Sequence, residues 1–167
     1  MNWTIEHMDS QDGKVALVTG ANSGLGYYTT RGLAAKGAEV IMACRNLEKG
    51  DVARQSIMNG GVVVAPELWQ LDLASLESIM QFARKFKASG MQLDLLINNA
   101  GLMAIPYART AEGFEMQFGT NHLGHFALTG LLMDVILSTP GSRVVNVSSG
   151  AHRNGDMDFN NLQFENG

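Results

Sequence analysis

Eight consecutive residues near the start of the chain, Thr19-Gly20-Ala21-Asn22-Ser23-Gly24-Leu25-Gly26, have the make-up of a loop that can hold phosphate. Glycines turn tightly and let backbone amides approach a diphosphate, and a helix beginning at such a loop adds roughly half a positive charge. No Lys-Ser or Lys-Thr follows the last glycine, so the mononucleotide P-loop is excluded. A tight turn without a ligand uses the same residue types. Context decides between the two, namely an apolar strand before the loop and a helical pattern after it.

Both are present, and they recur along the chain. Residues 14–19, 38–43, 68–73, 93–97 and 143–147 read as strands with nearly continuous apolar character, as expected of strands covered on both faces. Helical patterns lie between them. One runs over 25–36 and closes at Gly37; another opens at Asn46, with Glu48 in its first turn. Ser75 is placed to cap a third, which carries Leu76, Ile79, Met80, Ala83 and Phe86 on one face. The last pattern, over 111–137, predicts one long helix bearing Phe114, Phe118, Phe126, Leu128, Leu131, Leu132 and Val135. Strands alternating with helices predict a three-layer, Rossmann-type, doubly wound parallel α/β sheet of about five strands, formed as a single domain over 1–167.

Composition narrows the class further. The chain has 167 residues, 46% of them hydrophobic and 17% charged, with a formal charge of −4. That is globular composition, and it argues against a broadly basic nucleic-acid or membrane-surface binder. A single cysteine, Cys44, allows no internal disulfide and no cysteine-only metal cage. It fits a reducing compartment, and a cytoplasmic location is the expectation. The first residues lack a basic stretch followed by an apolar core, so no cleaved secretory signal is expected. The most apolar window, 123–137, includes His125 and Asp134 and is too short for a membrane span.

The glycine spacing, Gly20 then three residues then Gly24-x-Gly26, departs from the common Gly-x-Gly-x-x-Gly fingerprint and resembles the short-chain dehydrogenases/reductases. Four further segments in the expected order carry the resemblance: Asp72-Leu73, Asn98-Asn99-Ala100-Gly101, Asn121, and Val147-Ser148-Ser149. NHLGHF (121–126) and RVVNVSSGAH (143–152) look most like the retinol-dehydrogenase-like branch of that family. The resemblance implies hydride transfer between a nicotinamide cofactor and a small alcohol or carbonyl substrate. It also implies adenine contacts from Asp72 and Leu73, and a turn of Asn99, Ala100 and Gly101 beneath the ribose and nicotinamide. Cofactor contacts are thus expected from Gly20, Asn22, Ser23, Gly24, Leu25, Gly26, Asp72, Leu73, Asn99, Ala100 and Gly101. The family counterpart of Asn98 ties the sheet together through its side chain.

Cofactor choice rests on the end of the second strand, where a carboxylate suits NAD and a cation suits the extra phosphate of NADP. Cys44 and Arg45 stand there; Glu39 is at the strand's other end and Glu48 lies in the next helix. A guanidinium engages a phosphate as a fork, so NADP is expected over NAD, with Lys49 one turn further on.

Catalysis in the family uses a tyrosine, a lysine that lowers its pKa, a serine and an asparagine. The serine maps to Ser149, rather than Ser148, and the asparagine to Asn121. The tyrosine and lysine, Tyr-x-x-x-Lys, have no counterpart: the tyrosines are Tyr27, Tyr28 and Tyr107, followed four residues on by Arg31, Gly32 and Ala111. The chain therefore resembles the cofactor-binding half of a longer reductase, able to hold nucleotide without turnover. The alternative is a non-catalytic nucleotide-binding or interaction module. A methyltransferase on a related fold is disfavoured, because it has no use for the 98–101 turn or Ser149.

His122 and His125 have no third ligand near them in sequence, so packing or capping is expected in place of a metal site. His152 reads as a solvated loop residue. The resemblance implies that the long helix pairs with the helix carrying Tyr-x-x-x-Lys and with dimer mates; without that partner Phe126, Leu131, Leu132 and Val135 would be uncovered, and a homo-oligomer is expected.

Overall fold

The computed structural model describes residues 4–165. Strands β1 (Val15–Thr19), β2 (Glu39–Cys44), β3 (Glu67–Gln70), β4 (Leu95–Asn98) and β5 (Arg143–Asn146) form one parallel sheet in the order β3-β2-β1-β4-β5. The helices between them are α1 (Gly24–Ala35), α2 (Leu47–Asn59), α3 (Leu76–Ala88), α4 (Met116–Phe118), α5 (Gly124–Leu131) and α6 (Met133–Ser138).

Each strand serves two cores, because successive side chains point to opposite faces of the sheet. Val15, Leu17, Ile41 and Ala43 meet Ile79, Phe82 and Phe86 of α3, Leu128 of α5 and Ile136 of α6. Ala16, Val18, Val40 and Met42 meet Leu33 and Ala34 of α1 and Ala53 and Ile57 of α2. Helices on both faces make the expected three layers.

Local chemistry sets the helix ends. Asn46 Oδ1 accepts the Lys49 N–H at 2.8 Å, and Ser75 Oγ accepts the Ser78 N–H at 3.3 Å, so both predicted caps are in place. Gly37, with φ of 95°, takes the left-handed turn that ends α1.

The structure corrects four expectations. The long helix over 111–137 is broken. Residues 111–115 form a turn at Gly113 (φ 88°), Glu115 caps α4 by accepting the Gln117 and Phe118 N–H groups, one wide π turn covers Gly119–Leu123, and the chain kinks at Leu132. Gly124 sits so close to the Leu73 carbonyl that a Cβ there would overlap it, which fixes where α5 begins to pack. Second, Phe82 joins the α3 core face, whereas Leu76 is 37% exposed. Third, β5 is not covered on both faces: Val145 and Val147 are each 45% exposed, and among the described residues no helix packs over them. Fourth, Leu132 is fully buried, not exposed, because the kink turns it into the α3 side of the core; Phe126 and Leu131 do face out.

The chain passes from β1 outward to β2 and β3 and then crosses back to β4. This reversal opens a crevice beyond the carboxyl ends of β1 and β4, where α/β sheets bind ligands. The other end of the sheet is closed. Asp94, 6% exposed, accepts from Lys14 Nζ at 2.8 Å and from the Val15 N–H at 3.0 Å.

Candidate functional site

Two cavities open at the carboxyl ends of the strands, one on each side of the turn 99–101. The first, about 590 Å³, lies toward β2 and is lined by Gly20, Asn22, Ser23, Leu25, Arg45, Asp72, Leu73, Asn99, Ala100 and Gly101. Ten of the twelve residues expected to contact a cofactor thus share one wall. Gly24 and Gly26 are not part of it. Gly24 (φ 52°) supplies the left-handed step into α1, and a Cβ on Gly26 would overlap the Gly20 carbonyl and the Asn99 amide. Gly20 has φ of 64°, and a Cβ on it would lie 2.9 Å from Ala100 Cα. The glycines therefore let the turn 20–23 lie flat against the turn 99–101, leaving room above for a ligand.

Side chains lock the two turns together. Asn99 Nδ2 donates to the Thr19 carbonyl at 2.8 Å, while the Asn99 and Ala100 N–H groups donate to Thr19 Oγ1 at 2.9 and 3.0 Å. Beneath the turn, the Cys44 thiol accepts from the Ala21 and Asn22 backbones, and burial pushes its pKa up to about 11. At the mouth, Arg45 and Lys49 are exposed, and Asp72 is the lone carboxylate of the lining. Its oxygen accepts the Ala74 N–H at 2.9 Å, and its own N–H donates to Ser78 Oγ at 2.9 Å, so the loop 72–74 is held rigid.

The second cavity, about 740 Å³, lies toward β5 and brings Asn121 and Ser149 to one wall. Asn121 is exposed on the π turn, and its amide is paired to the 99–102 segment from both ends: Oδ1 accepts the Leu102 N–H and Nδ2 donates to the Leu102 carbonyl, each at 2.8 Å. Ser149 caps the short turn that follows β5, its Oγ accepting the Ala151 N–H at 3.1 Å, and His152 Nδ1 meets its carbonyl. Ser148 lines the same wall. No tyrosine or lysine is among the residues lining this cavity.

Asn98 is buried and ties β4 to its neighbours, its Nδ2 donating to Asn146 Oδ1 at 2.7 Å and to Thr129 Oγ1 at 3.0 Å. His122 stacks between Phe118 and Phe126, and His125 is a buried hydrogen-bonding residue. Thr19 opens the glycine loop and His125 is expected to pack or cap, yet no motif spacing marks their side chains as partners; the fold brings them to 2.9 Å at the crevice.

The fold, with its crevice at the reversal of strand order, defines a Rossmann-type α/β domain. The short chain dehydrogenase model matches residues 14–161, and the chain belongs to that family of oxidoreductases. Retinol dehydrogenase 11 of Mus musculus is 50% identical over 157 residues, which cover 92% of this chain and 48% of the relative. A crystal structure of an uncharacterized protein from Mycobacterium paratuberculosis superposes with a TM-score of 0.83 at 45% identity, over 99% of this chain and 57% of that one. A metagenomic short-chain oxidoreductase in complex with NADP superposes with a TM-score of 0.73 at 26% identity, over 87% of this chain and 66% of that one. The chain spans about half the length of the curated relatives it matches. Among the described residues no helix is long and apolar enough to cross a membrane.

Proposed function

We propose that this chain forms the cofactor-binding part of an NADP-dependent oxidoreductase that moves a hydride between the nicotinamide and the carbon of an alcohol or carbonyl compound. The observation that carries the reading is the first cavity. Its floor is a glycine turn where added Cβ atoms would collide with Gly20, Asn99 and Ala100, and its mouth carries Arg45 with no carboxylate at the end of β2. A flat, amide-rich floor suits a diphosphate, and a guanidinium at the mouth suits a 2′-phosphate.

In this reading Gly20, Asn22, Ser23 and Leu25 hold the diphosphate, Gly24 and Gly26 give the turn its shape, and Arg45 and Lys49 face the phosphate of the adenosine ribose. Asp72 and Leu73 bound the adenine, while Asn99, Ala100 and Gly101 place the nicotinamide half beside the second cavity. The bound coenzyme supplies the hydride chemistry; the protein supplies position and electrostatics. Ser149 orients the substrate oxygen, and Asn121 lies on the same wall, tied at both ends of its amide to Leu102.

Half-identity with chains named retinol dehydrogenase favours an apolar alcohol or aldehyde as substrate, and the exposed Phe126 and Met103 in the second cavity fit such a ligand. The cavity wall holds no phenol to move the substrate proton, so the chain by itself binds nucleotide without turnover. That same absence favours the alternative of a non-catalytic nucleotide-binding module. The exposed Phe126, Leu131 and Leu137 on the outer side of α5 and α6 support association of copies of the chain. A reducing, cytoplasmic setting accompanies this reading, on the strength of the single buried cysteine.

Titration of the chain with NADPH and NADH, followed by fluorescence, tests the proposal. NADPH is expected to bind at least tenfold more tightly than NADH. NADH binding as tightly as NADPH overturns the NADP assignment, and binding of neither overturns the nucleotide reading. Association is checked by light scattering, where a clean monomer contradicts it.

A further inference from the structure

We propose that His125 is a positioning residue for both cavities: a neutral imidazole, protonated on Nδ1, that holds the Asn121 backbone on one side and the Thr19 hydroxyl, with the amides it gathers, on the other. The inference rests on reading the first cavity as a nucleotide site.

The assignment follows from what each partner can do. His125 Nδ1 lies 2.9 Å from the Asn121 carbonyl, which can only accept, so Nδ1 carries the proton. The neutral ring then has a bare Nε2. This nitrogen lies 2.9 Å from Thr19 Oγ1, so the hydroxyl donates its single proton to it. With that proton directed at the histidine, both lone pairs of Thr19 Oγ1 face the Asn99 and Ala100 N–H groups at 2.9 and 3.0 Å. The four contacts are satisfied together. Their ends are the turn that lines both cavities and the helical turn that carries Asn121.

Local backbone geometry makes the link possible. Around Asn121 the helix widens so that the Gly124 N–H reaches the Gly119 carbonyl five residues back. The ring of His125, one turn beyond Asn121, reaches back to that residue's carbonyl. Thr19 ends β1, which is 106 residues away in sequence.

A proton added to Nε2 would break the arrangement. Nε2 would become a donor facing an oxygen whose lone pairs are already taken, and the Thr19 proton would have to turn to the Ile97 carbonyl at 3.4 Å. His125 is 6% exposed, and burial is the main cause that holds its pKa below the usual histidine value, with His122 acting in the same direction and the Asn121 carbonyl opposing. The charged groups around it are few. His122 is the other ionisable residue lining the second cavity, and β1 and β4 bring none. The loop packed on Gly124 brings Asp72, held by the Ala74 N–H, and Glu115 caps α4. On α3, Glu77, Arg84, Lys85 and Lys87 are exposed; on α6, Asp134 pairs with Lys87; on β5, Arg143 is exposed at the far end of the strand.

The sign of the pH dependence follows. Below about pH 6.5 the unfolded chain takes up a proton at this position that the folded chain resists, so stability falls as the pH drops below 6.5 and is fully present above it.

The test uses the full chain labelled with ¹⁵N-histidine, together with His125→Phe, Thr19→Val and Thr19→Ser. At pH 7.5 the parent should show His125 protonated on Nδ1 and bare on Nε2. In His125→Phe and Thr19→Val the Asn99 and Ala100 amides should exchange with solvent about tenfold faster, and NADPH should bind about tenfold more weakly. Thr19→Ser, which keeps the hydroxyl, should stay within about twofold of the parent. Unfolding midpoints between pH 7.5 and 5.5 should fall less in His125→Phe than in the parent. A proton found on Nε2 at pH 7.5 overturns the proposal, as do Asn99 and Ala100 amides that exchange no faster in Thr19→Val or His125→Phe. If the parent binds neither NADPH nor NADH, the cofactor reading falls, while the tautomer and amide-exchange measurements, made without nucleotide, still decide for or against His125.

Discussion

The two cavities share the turn 99–101, yet the chain encloses them unequally. On the β2 side, floor, rim and mouth all come from residues between Thr19 and Leu102, with Thr120 and Val147 closing the edge. On the β5 side, Asn121 and Ser149 stand on a wall next to a strand whose Val145 and Val147 face are nearly half exposed. The difference follows from the order of the sheet. β1, β2 and β4 are paired on both edges and packed on both faces, whereas among the described residues β5 is an edge strand with a helix layer on one face alone. The cavity at the centre of the parallel sheet is thus walled on several sides, while the one beside β5 is bordered by exposed Val145 and Val147 and has no tyrosine or lysine in its lining.

Substitutions can break this contrast in order of expected size. Gly26→Ala should do the most damage, because its Cβ must displace the Gly20 carbonyl and the Asn99 side chain. A loss of about 2–3 kcal/mol in urea unfolding is expected, with NADPH binding abolished. Arg45→Asp leaves the fold intact and acts at the mouth. NADPH should weaken by about tenfold to a hundredfold while NADH does not, so the preference reverses in a paired titration.

The next effect concerns the floor. Cys44 has a usual thiol pKa of 9.0 that burial raises to about 11. Above pH 9 the unfolded chain loses a proton that the folded chain keeps, so stability should be complete below pH 9 and decline as the pH rises toward 11; Cys44→Ala should remove that decline. The native thiol should also react with iodoacetamide at pH 8 far more slowly than the thiol in urea, as read by mass spectrometry. The smallest effect is expected beside the second cavity. Phe126 is 74% exposed, so Phe126→Ser should change stability by no more than about 0.5 kcal/mol while reducing the apparent mass in light scattering.

Much of the β2-side cavity was legible in the sequence. The glycine turn, the Asn46 and Ser75 caps and the apolar strands are signals carried within a few residues of one another, and the structure realises each. The register of the sheet made those signals converge, bringing Arg45 at the end of β2 and Asp72 after β3 to the same rim as Gly20. The single long helix over 111–137 was misread because its apolar spacing continues through places where packing interrupts it. Gly124 must approach the Leu73 carbonyl, Glu115 turns back to cap α4, and Leu132 rotates into the core.

Short-range rules of backbone and side chain, namely what glycine permits, which residues cap a helix and how apolar residues repeat, were enough to mark out the sheet, the glycine turn and the cation beside it. Tertiary structure alone decided that Thr19 and His125 meet, that Asn99 and Ala100 hang from that meeting, and that Val145 and Val147 at β5 are left exposed. Contacts between residues a hundred positions apart depend on how helices seat against the sheet, and no local pattern in the chain encodes that seating.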